Sequence, residues 1–209
     1  QRMLKTQDPG HWSKITSCLL QNREDILIKN KTLDKSLFIA AAIINAYVNW
    51  SAQKSEENAL VIYDTMWHST ETMAEEIVQG IVEEGVIARP IHIRSSHRSE
   101  IMTEVLDAAA VIIGSPTINN QMFPTVSDVL TYMKGLKPQN KVTAAFGSYG
   151  WSGEAVKIIT GELEAMKFQL ADAGLRSHYV PGEDDLAACR KLARKVAEAL
   201  PAAAGRSPS

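Results

Sequence analysis

Thr65, Ser69 and Thr70 fall within the six residues Thr65-Met-Trp-His-Ser-Thr70, a stretch that carries no Lys or Arg. Three hydroxyls so close together suit an anion if their surroundings add positive potential. Ala59-Leu-Val-Ile-Tyr-Asp64 before them is a short apolar run of strand type, and behind them Met73, Ile77 and Ile81 recur at helical spacing. A helix that starts here offers N–H groups without intrahelical partners and the positive end of its dipole. A phosphate could then be held by hydroxyls and backbone alone. The same residues also serve as an ordinary helix start, with Ser69 or Thr70 merely capping the first turn.

Two later stretches carry groups for something flat. Gly114-Ser-Pro-Thr-Ile-Asn-Asn-Gln-Met-Phe123 has amides at Asn119 and Asn120 and a stiffening Pro116, and Gly147-Ser-Tyr-Gly-Trp-Ser-Gly153 follows another apolar run. Trp67, Tyr149 and Trp151 offer planar faces for stacking. Gly147, Gly150 and Gly153 let the backbone approach a ring edge. Together the three loops fit a planar heteroaromatic ring with a phosphate tail, although a tryptophan taken singly is better read as packing under a loop.

The elements that must position these loops follow from the hydrophobic pattern. Strands are expected at 59–63, 86–93, 109–113, 141–146 and 175–180. Helices are expected at 69–84, 98–106, 124–133, 152–173 and 184–200. Strands alternating with helices specify a parallel sheet covered on both faces. Pro90 cannot donate to a ladder, so its strand belongs on an edge. This favours the flavodoxin-like order 2-1-3-4-5, a doubly wound five-stranded α/β sheet that binds its ligand at the carboxyl ends of the strands. Ahead of this domain, at 58–200, stands a partly helical extension and charged linker over 1–57, with a turn at Asp8-Pro-Gly10 and an apolar helix at about 36–50. Residues 201–209 read as a disordered tail.

Composition narrows the function classes. A net charge of −2 gives no basic surface for nucleic acid. Cys18 and Cys189 lie far apart, which argues against a disulfide framework and fits a reducing compartment, so the protein is expected in the cytoplasm. The apolar run Leu37–Val48 is too short for a membrane span, which needs about 20 residues. It reads as a helix that must be buried, in part against a second copy of the chain. A phosphoacceptor receiver domain would require an acidic pair after the first strand, where Asp64 stands alone, and a dinucleotide-binding domain would require GxGxxG there.

The three motifs Tyr63–Ala74, Gly114–Thr125 and Ala145–Ala155, with Leu130–Pro138, resemble the flavodoxin-like domain of the flavodiiron proteins (A-type flavoproteins). That resemblance covers about Asn45 to Leu200. It implies bound FMN and electron transfer, with Thr65, Met66, Trp67, His68, Ser69 and Thr70 around the phosphate. Ser115, Pro116, Thr117, Ile118, Asn119 and Asn120 would contact the ring and ribityl chain, and Ser148, Tyr149, Gly150, Trp151 and Gly153 would line the other side. His68 departs from the glycine common in flavodoxins; it would tolerate a positive φ at some strain, and its cation would either favour the phosphate or face solvent. The family's His-x-Glu-x-Asp-His metal motif is not found in this sequence, so no metal ligands and no catalytic side chain are expected. The resemblance further implies a homodimer, a rubredoxin-like donor and a metal-containing acceptor. A scaffold that has kept the fold without the flavin is the competing reading.

Overall fold

The structure, a computed structural model, describes residues 31–53 and 55–203. The turn at Asp8–Gly10, the short helices expected before residue 30, and residues 204–209 lie outside them. The chain divides into two compact units, residues 1–52 and 53–209. In the first, α1 (Lys31–Ser51) forms as the apolar pattern implies, starting before the expected position. Its large side chains Phe38, Ile39, Ile43 and Tyr47 are exposed, so the burial that the sequence demands is not supplied among the described residues.

The second unit is built on parallel strands β1 (Glu56–Tyr63), β2 (Ile87–His92), β3 (Ala108–Gly114) and β6 (Val142–Tyr149), in the order β2-β1-β3-β6. The fifth position is shared by two short segments. β7 (Gln169–Leu170) pairs with Val142 and Thr143, and β8 (Leu175–His178) pairs with Phe146 to Tyr149. This is the expected 2-1-3-4-5 arrangement with its last strand broken. Pro90 lies on β2, which pairs with β1 alone among the described strands, so its missing N–H costs no ladder bond.

Alternation along the strands decides which helix covers which face. Leu60, Ile62, Val111 and Ile113 pack with α3 (Arg98–Asp107), α4 (Pro124–Leu136) and α5 (Glu154–Ala165). Val61, Tyr63, Ile112 and Phe146 pack with α2 (Ser69–Glu83) and α6 (Glu183–Ala203). Both faces are buried, as parallel sheets require.

Three expectations are corrected. The long helix at 152–173 ends at Ala165: Lys167 turns to φ 62° and the N–H of Phe168 closes back on the Leu163 carbonyl. A lysine replaces the glycine that usually marks such a stop, so the sequence carried no warning. Between β3 and α4 lies an unforeseen hairpin, β4 (Thr117–Ile118) with β5 (Gln121–Met122). Its two-residue turn puts Asn119 and Asn120 at φ 48° and 58°, the left-handed pair a primed turn needs. Finally, α6 continues through 201–203, which were expected to belong to the tail.

At the sheet's opposite end Lys141 is buried, its Nζ donating to the carbonyls of Ala108 (2.6 Å) and Leu106 (2.9 Å). Burial pushes its pKa down from 10.5 to about 8, with Asp107 opposing the shift. Lys141→Met strands both carbonyls and should cost about 1–3 kcal/mol for each acceptor left buried. Between pH 8 and 10.5 the unfolded chain keeps a proton the native protein has lost, so wild-type stability should gain on that of the variant as pH rises. Urea denaturation across that range measures both effects; parallel curves refute the second.

Candidate functional site

The carboxyl ends of β1, β3, β6 and β8 meet at one edge, and their loops enclose a cleft of about 560 Å³. Met66, Trp67 and Ser69 line it from the first loop, Pro116, Thr117, Ile118 and Asn119 from the second, and Ser148, Tyr149, Gly150 and Trp151 from the third. Thr65, His68, Thr70, Ser115, Asn120 and Gly153, also expected there, are not among its lining residues. None of the lining side chains carries a formal charge.

The residues behind the cleft hold its walls. Thr70 is buried and its hydroxyl lies 2.9 Å from that of Ser148, joining the first loop to the third. Ser115 is buried, donates to the Pro116 carbonyl and accepts from the N–H of Phe123, both at 2.8 Å, which closes the second loop. Asn120 is a turn residue whose amide oxygen accepts from Ser152 at 2.9 Å. Two of the glycines expected to admit a ring edge lie close against the protein itself. A Cβ on Gly147 would sit 1.9 Å from the Ser115 carbonyl oxygen, and Gly153, at φ 73°, lies against the Tyr149 ring.

His68 is the N-cap of α2 with φ 64°, so the chain does adopt the left-handed conformation there without a glycine. Its exposed imidazole pairs with Glu71 through Nδ1, at 2.5 Å. Glu71's other oxygen accepts from the Tyr63 hydroxyl at 3.1 Å. Burial, then Glu71, raises the Tyr63 pKa to about 12, while the hydrogen bond to His68 holds the Glu71 carboxyl below the usual range.

A buried carboxylate organises this edge, and sequence reasoning passed it over. Asp64 accepts from the Thr65 N–H at 2.7 Å, from Arg94 Nε at 3.0 Å and from the Thr125 hydroxyl. Arg94 also donates to the Thr65 carbonyl at 3.4 Å and lies over the Phe123 ring, 5.1 Å from its centroid. His92 Nε2 stands 3.4 Å from Asp64, within ion-pair range but without a hydrogen bond. The only sequence signal was an acidic residue at a strand's carboxyl end. Tyr179 and Val180 form a fourth wall that was also missed, because the strand expected over 175–180 ends at His178 and leaves them in the following loop. His178 braces that wall, its ring 5.1 Å from Tyr149 and 4.1 Å from Tyr179, with Nε2 3.1 Å from the Gly150 carbonyl.

Two features fit a planar ligand with an anionic tail. Trp67 and Trp151, 80% and 94% exposed, stand at the cleft with apolar surface uncovered. Thr65 is 8% exposed and its hydroxyl has no partner, a buried donor beside the start of a helix.

The family model for flavodoxin matches residues 61–204. The chain belongs to the flavodoxin family. A nitric oxide reductase of Moorella thermoacetica is 44% identical over 156 residues, 74% of this chain and 39% of that protein. The solved rubredoxin oxygen:oxidoreductase of Desulfovibrio gigas superposes with a TM-score of 0.76 at 39% identity, over 80% of this chain and 41% of that one. An archaeal flavodoxin superposes at 0.62 with 30% identity, over 68% of this chain and 98% of the smaller protein. The chain thus spans about 40% of the length of the curated relatives it matches.

The close approach at Gly147 gives a stability test. Gly147→Ala should destabilise by about 3 kcal/mol or more, at or beyond the top of the overpacking range, because rigid backbone obstructs the new methyl. Gly161→Ala, on α5 with nothing within 4 Å, should instead stabilise by about 0.5–1 kcal/mol. Thermal denaturation of the pair checks the contrast; equal effects refute the packing argument.

Proposed function

We propose that residues 58–200 form an FMN-binding electron-transfer module. The observation that carries this is the uncharged cleft at the carboxyl edge of the sheet, bounded by exposed Trp67 and Trp151 and backed by the start of α2. Bound FMN would supply one- and two-electron redox chemistry, and the protein's part is binding, orientation and tuning. Ser69, the Thr65 hydroxyl and the first N–H groups of α2 would hold the phosphate. Pro116 to Asn119 would bound the ring on one side and Ser148 to Trp151 on the other, with Trp67 and Trp151 keeping water from its faces. Thr70, His68, Ser115, Asn120 and Gly153 take supporting positions.

The name of one relative, rubredoxin-oxygen oxidoreductase, supports a rubredoxin-like donor. The exposed apolar residues of α1 support self-association. We therefore expect a dimer by light scattering at micromolar concentration; a monomer mass overturns that part of the reading. No helix among the described residues is long and apolar enough to cross a membrane.

Titrating apoprotein with FMN should quench flavin fluorescence at one flavin per chain, through stacking on Trp and Tyr, with weaker binding of FAD. Unquenched fluorescence at saturating protein favours the flavin-free scaffold. Ser69→Ala should weaken FMN about tenfold, as the loss of a hydrogen bond to a charged group predicts, and leave riboflavin unchanged. Equal loss for both ligands would put the phosphate elsewhere.

A further inference from the structure

The cleft that would take a phosphate has no charged lining residue, and the nearest formal charge in the first turn of α2 is negative. Glu71 is fixed in that state. Its carboxyl is held below the ordinary range by His68, and Tyr63, pushed up to about 12, stays protonated and donates to it. A carboxylate there already occupies part of the positive field at the helix start, and a second anion must share that field. The group that offsets it is His68, which accepts a left-handed backbone and leaves α2 without a side-chain cap while its ring closes on Glu71.

From this pairing we infer that His68 is a specificity-determining residue: its imidazole, closed on Glu71, offsets that carboxylate and lets the loop accept a phosphate-bearing flavin in preference to the phosphate-free one. The inference rests on the FMN reading above. The other groups around the pair are Asp64 on β1, Glu75 on α2, His92 on β2 and Arg94 in the turn that follows β2. Asp64 and Arg94 pair with each other, so of the basic groups it is His68 that pairs with Glu71 directly.

His68→Asn is the informative variant, since Asn tolerates the left-handed region but carries no charge. Dissociation constants for FMN and riboflavin are measured by fluorescence quenching at one pH and ionic strength for wild type, His68→Asn, Glu71→Gln and the double variant. His68→Asn should weaken FMN about two- to fivefold, the scale of a charge at a helix end, with riboflavin unaffected. Glu71→Gln in the His68→Asn background should restore FMN affinity, because the carboxylate that His68 offset is then gone. A loss that is shared by riboflavin or is not restored by Glu71→Gln overturns the role of His68 while leaving FMN binding intact. Wild type that binds neither flavin overturns both readings.

Discussion

Asp64 is the constraint on which the binding edge depends. It is a fully buried carboxylate at the point where β1 gives way to the first loop. A buried charge left without partners destabilises strongly, by about 3–5 kcal/mol when a partner is removed, so the chain must bring donors to it. They come from three places: the Thr65 N–H on its own loop, Arg94 from the turn after β2, and the Thr125 hydroxyl at the start of α4. Satisfying one side chain therefore fixes where the first loop leaves the sheet and where the second loop ends.

The other walls are held by the same logic on a smaller scale. Thr70 and Ser148 share a buried hydrogen bond, and Ser115 satisfies both its own hydroxyl and the N–H of Phe123. Polar side chains behind the cleft meet each other, while the side chains that line it are uncharged or aromatic. An anion at such a place would be held by a helix end and hydroxyls, without lysine or arginine. The start of α2 lies beside the cleft, and His68 and Glu71 pair with each other there.

Much of the architecture was legible because its signals are periodic. Leu60 and Ile62 alternate with Val61 and Tyr63 between the two faces, and Met73, Ile77 and Ile81 mark the buried side of α2. Pro90 declared an edge strand by lacking a donor. The errors fall where backbone conformation departs from what residue type suggests. Lys167 ends α5 in a left-handed turn normally given to glycine, and Asn119 and Asn120 form the left-handed pair of a primed hairpin turn that was not foreseen. At Gly147 and Gly153 the nearest neighbours are the Ser115 carbonyl and the Tyr149 ring, a closeness that residue type alone does not specify.

The sequence by itself determined the order of strands and helices, the edge position of Pro90, the three loops at the carboxyl end and the unusual histidine at 68, since all of these follow from local pattern and residue chemistry. Only the tertiary structure decided which side chains line the cleft and which stand behind it. Arg94 and Thr125 reach Asp64 across 30 and 61 residues, and Thr70 reaches Ser148 across 78. No local pattern encodes such pairings. They arise because a parallel sheet brings the ends of strands distant in sequence to one edge, where buried polar groups must find their partners.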